Sequence, residues 1–330
     1  MKIFICEFIT AGGLNRADLP PSLVREGTMM RDALLRDLSL LPEIVIITTH
    51  DARLSSPISN SVPISAQDDA WVIWQDLLQN CDAAFIIAPE TDNTLADLVN
   101  LVNHCNVLHL GCSFSAIKLA SSKYQTFQQL VKAGINVVAT YRLNEFGAKE
   151  FDSDSRRWVA KPDDGAGCDD TAYLETTAEV EQWLNNSATN YVIQPYIEGV
   201  AASISMLCKD GKAWLLSCNQ QKVELVNKQF VYSGSVVNGL QANDERFDHI
   251  AQQISSAMPD LAGYVGVDVI VSDDKITVLE INPRLTTSFA GLHASLGINP
   301  SKLILELFFN PLFTMLPFNK LNNKPVEITV

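Results

Sequence analysis

Asp268 and Glu280 are the residues whose type and spacing first suggest chemistry. They lie in YVGVDVIVSDDKITVLEINPR, from Tyr264 to Arg284. Alternation puts Val265, Val267, Val269 and Val271 on one side of a strand and Tyr264, Gly266, Asp268 and Ile270 on the other. Ser272-Asp273-Asp274-Lys275 signals a turn, after which a second alternating run gathers Ile276, Val278, Glu280 and Asn282 on one face. A three-residue loop centred on Asp274 sets Asp268 directly opposite Glu280, with both side chains on the same face. Like charges there repel unless a cation sits between them, and the Asn282 amide oxygen completes an all-oxygen site suited to magnesium. The plainer reading is a solvated hairpin face. Pro283-Arg284 favours the metal, because it ends the strand with a fixed cation beside the ligands, and such an arginine suggests phosphate. On this reading, neutralising Glu280 relieves repulsion and raises the melting temperature of the magnesium-free protein.

The elements that position these groups follow from the rest of the chain. Lys2 to Ile9 reads as a buried strand. Thr10-Ala11-Gly12-Gly13 follows it, either as a close approach to substrate or as an ordinary flexible turn. Met30, Ala33, Leu34, Leu38 and Leu41 recur at helical spacing before Pro42 stops the helix. Strands at 44–48, 83–88 and 107–110 alternate with helices at 71–78 and from Pro89-Glu90-Thr91-Asp92 through Val102. Residues 1–110 therefore read as an α/β domain with a parallel, doubly wound sheet.

A second region, 111–197, opens with Ser122 and Gln125 as a capping box, which puts Lys123 in the first turn of a helix to Ala133. A cation there calls for a nearby anion. A strand is expected over Val137–Arg142, then an acidic, serine-bearing loop, then a strand over Trp158–Pro162. The last leads into Asp163-Asp164-Gly165-Ala166-Gly167-Cys168-Asp169-Asp170, which reads either as backbone folding over phosphate or as a solvated hairpin tip. Thr176 and Glu179 cap another helix. Pro195, within the apolar run Tyr191–Ile197, places that strand at an edge or makes it leave the sheet, and freed backbone groups there suit a purine edge. From 198 to 330 the pattern turns to antiparallel hairpins, with a helix at 248–258 leading into the metal hairpin.

The chain has 330 residues and 47% apolar content, enough for a large core and two or three domains. A net charge of -14 argues against nucleic-acid or anionic-membrane partners. The cysteines are scattered without a C-x-x-C motif, and no apolar run is long enough to span a membrane. MKIFICEFI reads as a first strand instead of a signal peptide, so a cytoplasmic protein is expected.

Lys123, the strand at Lys161-Pro162 before a glycine loop, Gln194-Pro195-Tyr196-Ile197-Glu198-Gly199, and Asp268 with Glu280-Ile281-Asn282-Pro283-Arg284 together resemble the ATP-grasp superfamily in order and spacing. The resemblance covers Gly111 to about Gly291. It implies two α+β lobes clasping ATP behind a preceding α/β domain. It also implies phosphate contacts from Lys123 and Lys161, a mobile loop containing Gly165 and Gly167, and a hinge at Gln194, Pro195, Tyr196 and Ile197 whose backbone reads adenine. Asp268, Glu280 and Asn282 would be ligands of two magnesium ions, which manganese can replace, and Arg284 would hold the transferred phosphoryl group. Many members carry a ribose-binding carboxylate where this chain has Ala201, and Glu198 is its candidate substitute.

CEFITAGG, PSLVREGTMM, Pro89-Glu90 and NPRLTTSFAGL are further similar to the tyramine–glutamate ligase family. That implies an amide made through an acyl phosphate from small-molecule substrates, the glutamate γ-carboxylate and an aromatic amine, as in methanofuran-type cofactor synthesis. Rival readings are a small-molecule kinase and a nucleotide-binding module without turnover. A monomer and a homo-oligomer are both open. Arg25 and Glu26 pair on a helix surface or touch substrate, and Glu90 caps a helix or faces the site.

Overall fold

The computed structural model describes residues 1–143, 157–165, 170–186, 190–240 and 245–330. The N-terminal part runs β1 (Lys2–Glu7), α1 (Pro21–Ser39), β2 (Val45–Asp51), β3 (Val62–Ile64), α2 (Ala70–Leu78), β4 (Ala83–Ile87), α3 (Thr94–His104) and β5 (Leu108–His109). The strands form a parallel sheet in the order β3-β2-β1-β4-β5. Central β1 is buried from Ile3 to Glu7, because helices cover both of its faces. Ile3 and Ile5 pack with Met30, Leu34 and Leu38 of α1, while Phe4 and Cys6 pack with Trp74 and Leu98 from α2 and α3. Strand order reverses at β1. The crevice outside the C-terminal ends of β1 and β4 is thus where such sheets take ligands, and Glu7 and Glu90 lie at those ends. β3 escapes a sequence reading because it is short and contains Pro63, which an edge strand tolerates.

Gly12-Gly13 is not a loose turn. Ile9–Gly13 is a tight helical turn closed by Gly13 N–H donating to the Phe8 carbonyl at 2.9 Å. Gly12 has φ +101°, and a Cβ there would lie 2.7 Å from Ile64 Cβ. The glycines serve packing.

The next elements are α4 (Phe114–Ala120), α5 (Lys123–Lys132), β6 (Tyr141–Arg142), β7 (Trp158–Pro162), β8 (Ala172–Leu174), α6 (Thr177–Asn186) and β9 (Tyr191–Pro195). The four strands form a small antiparallel sheet, β6-β9-β7-β8, over a core that includes Trp158, Leu174, Val180 and Ile193. The expected strand over Val137–Arg142 is divided. Only Tyr141–Arg142 pairs here, and Val137 instead bridges to Val278 in the next sheet. The serine-bearing loop and Gly167 lie outside the described residues. β9 is an interior strand with Pro195 as its last residue, so of the two readings the strand leaves its sheet at the proline.

The remaining elements are β10 (Val200–Lys209), β11 (Lys212–Val226), β12 (Gln229–Val237), α7 (Glu245–Ala257), β13 (Gly263–Val271), β14 (Ile276–Asn282), α8 (Phe289–Leu296), α9 (Pro300–Phe309) and β15 (Val326–Thr329). They build an antiparallel sheet in the order β14-β13-β10-β11-β12-β15. In the β13–β14 hairpin Asp268 is paired with Glu280 as expected, but by another route. Val271 pairs with Ile276 around a four-residue loop, 272–275, and a bulge at Leu279 then shifts the register. The bulge also changes which residues share a face. Ile276, Val278 and Ile281 join Val265, Val267 and Val269 in the core, whereas regular alternation would have put Ile276 and Val278 beside Glu280.

Helix α1 approaches β1 closely at Gly27, where a Cβ would fall 2.4 Å from Glu7 Oε2. Gly27→Ala should therefore cost about 1–3 kcal/mol through overpacking, although alanine is the better helix former. A lower denaturant midpoint with an unchanged slope is expected; a variant at least as stable as wild type would show that α1 yields at no cost.

Candidate active site

The site lies between the small sheet and the large one. β13 and β14 present Asp268, Glu280 and Asn282, β7 presents Lys161, and the first turn of α5 presents Lys123. Glu280 Oε2 is 3.2 Å from Lys161 Nζ and 3.5 Å from Lys123 Nζ. Lys123 Nζ also donates to the Gly165 carbonyl at 2.5 Å. Opposite them, Asp268 accepts from Gln221 Nε2 at 2.7 Å and from Asn282 Nδ2 at 3.0 Å.

The anion required by a lysine at the start of α5 is Asp163. Its carboxylate accepts from Ser122 Oγ at 2.7 Å and from Tyr124 N–H at 2.8 Å, while Ser122 Oγ caps Gln125 N–H. Asp164 accepts from Asn190 Nδ2 at 3.0 Å. These two aspartates therefore pin the start of the loop instead of forming a solvated tip.

Burial and compensation divide the facing carboxylates. Burial, then the Glu280 charge, pushes Asp268 up to about 7. Burial acts on Glu280 in the same sense, but Lys123 and Lys161 override it and hold this carboxylate at about 2. Lys161 is lowered by burial and by Lys123, against the pull of Glu280. Two facing carboxylates beside an amide are hard oxygen donors of the kind magnesium takes, and the lysines supply charge suited to phosphate oxygens.

At the end of β14, Arg284 makes a side-on fork to Glu90. Nε donates to Oε1 and Nη2 to Oε2, both at 2.9 Å; the Glu90 side chain is buried and that of Arg284 nearly so. Glu90 thus faces the site and does not cap α3, and sequence reasoning left that choice open. The signal that favours it is a carboxylate just past β4 at the point where strand order reverses. Gln221 lies within β11, and its pairing to Asp268, 47 residues away, leaves no local signal in the sequence. Glu26 lies within electrostatic reach of Arg284 and Tyr232, while Arg25 is exposed.

The stretch from Gln194 to Gly199 ends β9 and leads into β10. Gln194 Nε2 donates to Thr140 Oγ1 at 2.9 Å in a buried position, and Tyr196 N–H donates to the Arg157 carbonyl. Arg157 lies 4.8 Å over the Tyr196 ring and also pairs with Glu198, so the candidate ribose carboxylate already has a partner. Ala201 is paired with Ile270.

A model of the ATP-grasp domain matches residues 120–288 and one of the pre ATP-grasp 3 domain matches residues 44–117. The chain is 27% identical to tyramine–L-glutamate ligase of Methanocaldococcus jannaschii over 304 residues, covering 91% of this chain and 86% of that protein. It is 30% identical to the same-named enzyme of Methanocaldococcus fervens over 295 residues, covering 88% and 89%. The crystal structure of an ATP-grasp superfamily protein from Archaeoglobus fulgidus matches with a TM-score of 0.72 at 25% identity, covering 92% of this chain and 88% of that one.

Because Glu280 is the counter-ion of two lysines, the expectation that neutralising it stabilises the magnesium-free protein is reversed. Glu280→Gln should lose about 3 kcal/mol in EDTA by stranding two ammonium groups largely withdrawn from solvent, and a rise in melting temperature would refute this. The pH signs follow. Glu280 sits below its ordinary value, so its contribution is present above about pH 4.5 and fades toward about pH 2. Asp268 is raised, so its contribution is complete below about pH 3.8 and lost as pH rises to about 7. Asp268→Asn should flatten the stability profile of the metal-free protein across that upper window; an unchanged slope would count against a raised Asp268.

Proposed function

The chain belongs to the ATP-grasp family and is an ATP-dependent carboxylate–amine ligase, and we propose that it joins the γ-carboxylate of L-glutamate to tyramine or a close aromatic amine such as tyrosine. The convergence of Lys123 and Lys161 on Glu280, opposite Asp268, is the observation that carries the reading. It concentrates phosphate-binding charge and metal-binding oxygen at one point between two antiparallel sheets.

A carboxylate does not form an amide at a useful rate, so it is first activated. A γ-carboxylate oxygen attacks the γ-phosphorus of ATP, the bond to the β–γ bridging oxygen breaks, and ADP leaves. The amine nitrogen then attacks the acyl carbon, the carbon–oxygen bond to phosphate breaks, and the amine loses a proton. The family works with ATP and magnesium. In this reading Asp268, Glu280 and Asn282 would hold two magnesium ions, or manganese in their place, and the metal would supply positive charge to the transferring group.

Lys123 and Lys161 exchange Glu280 for phosphate oxygens. The Gly165 backbone, which already meets Lys123, lies beside them, and the stretch from Gln194 through Pro195 and Tyr196 to Ile197 reads adenine, with Glu198 at the ribose end. Arg284 stabilises the phosphoryl group and then the tetrahedral oxyanion formed by amine attack. No covalent nucleophile is needed. The choice of glutamate and of a phenolic amine is supported by the two similar ligases, each alike over most of its length.

With ATP, magnesium, L-glutamate and tyramine, one γ-glutamyl amide should form per ADP and phosphate, scored by phosphate release and product mass. ADP release with acid alone, accompanied by a stable phosphorylated acid, would instead mean a kinase. Amide from other pairs but not from this one would retain the ligase and reject the named substrates. Magnesium–ATP at one hundred times its dissociation constant should also stabilise the protein by about 2.7 kcal/mol, and an unmoved melting curve would reject nucleotide binding at the site.

A further inference from the structure

Arg284 uses three of its five N–H bonds within the protein: Nε and one Nη2 hydrogen on Glu90, and one Nη1 hydrogen on the Leu285 carbonyl at 3.2 Å. Among the described residues two N–H bonds are left, one on each terminal nitrogen. The side-on edge is occupied, so the guanidinium plane is fixed and its remaining donors face away from Glu90. The partners lie 194 residues apart, one beyond the C-terminal end of β4 and one beyond the end of β14. Glu90 is buried and the Arg284 side chain is 13% exposed, so solvent provides little alternative partner to either.

We infer that Glu90 is a positioning residue for the ligase reaction: by holding one edge of the Arg284 guanidinium it aims the opposite donors at the transferring phosphoryl group and acyl oxygen. This rests on the role given to Arg284 above. Without the Glu90 charge the guanidinium would be drawn toward Glu26 or Glu280, the other carboxylates whose charge it feels, and its remaining donors would turn away. The N-terminal domain thereby contributes to catalysis through a charged group and not only by shaping a crevice.

Glu90→Gln, Glu90→Asp, Glu90→Ala and Arg284→Ala would be compared in the full chain by steady-state ADP release and by melting temperature. Glu90→Gln should lower kcat by about a hundredfold, the penalty of a small misplacement, while the KM for ATP changes less than about threefold. Glu90→Asp should recover part of kcat. Sodium formate should restore at least about tenfold of the activity lost in Glu90→Ala, and none in Arg284→Ala, because a free carboxylate can re-form the fork only where the arginine remains. If Glu90→Ala does not fold, Glu90→Gln and Glu90→Asp carry the test. Near wild-type kcat in folded Glu90→Gln, or a kcat loss matched by an equal loss of folded protein, would overturn the inference. A fully active Arg284→Ala would instead remove the role assigned to Arg284, whereas a slow Arg284→Ala beside a fast Glu90→Gln would remove only that of Glu90.

Discussion

Two carboxylates set opposite one another and largely withdrawn from solvent cannot both stay ionised without positive charge close by, and much of the site is built around that constraint. Asp268 and Glu280 meet across β13 and β14, and the molecule treats them unequally. Glu280 receives two ammonium groups, whereas Asp268 receives neutral amides from Gln221 and Asn282. Opposite pKa shifts follow from those different partners. In the proposed function this donor set exchanges its protons and lysines for a metal, and the lysines exchange Glu280 for phosphate.

That compensation dictates how distant elements come together. Lys123 must arrive from α5 and Lys161 from β7, so a helix and the small sheet both have to close on the large one. Asp163 makes the first possible, since its carboxylate satisfies the start of α5 where a lysine would otherwise meet unfavourable partial charge. β7 makes the second possible because it is paired on both sides, by β8 and β9. On the other flank, Ile3, Ile5 and Leu34 share one apolar cluster with Leu216, Val237 and Phe289, which ties the N-terminal sheet to the large one. The Glu90–Arg284 fork sits within that packed frame and is correspondingly fixed.

The bulge at Leu279 solves a conflict in the strand itself. β14 must bury Ile276, Val278 and Ile281 on one face while showing Glu280 and Asn282 on the other. No strict alternation satisfies both. One extra residue rotates the strand by half a repeat, so that both demands are met within seven residues.

The sequence by itself determined what depends on near neighbours. Alternation in Val265–Val271, helical spacing in α1, the Ser122 cap of α5, the parallel class of the first sheet and the Asp268–Glu280 pairing all express local stereochemistry or short hairpin geometry, so they were legible. The pairing was reached through a three-residue loop that does not exist, because a loop one residue longer and a bulge one residue long compensate each other. Only the tertiary structure decided which face each β14 residue takes, that Gly12 and Gly13 serve packing, that Asp163 is the anion for α5, and that Glu90 belongs to Arg284. Each of these depends on atoms brought together from remote parts of the chain, and the pattern around a residue carries its own preferences but not the identity of the group that packing will set against it.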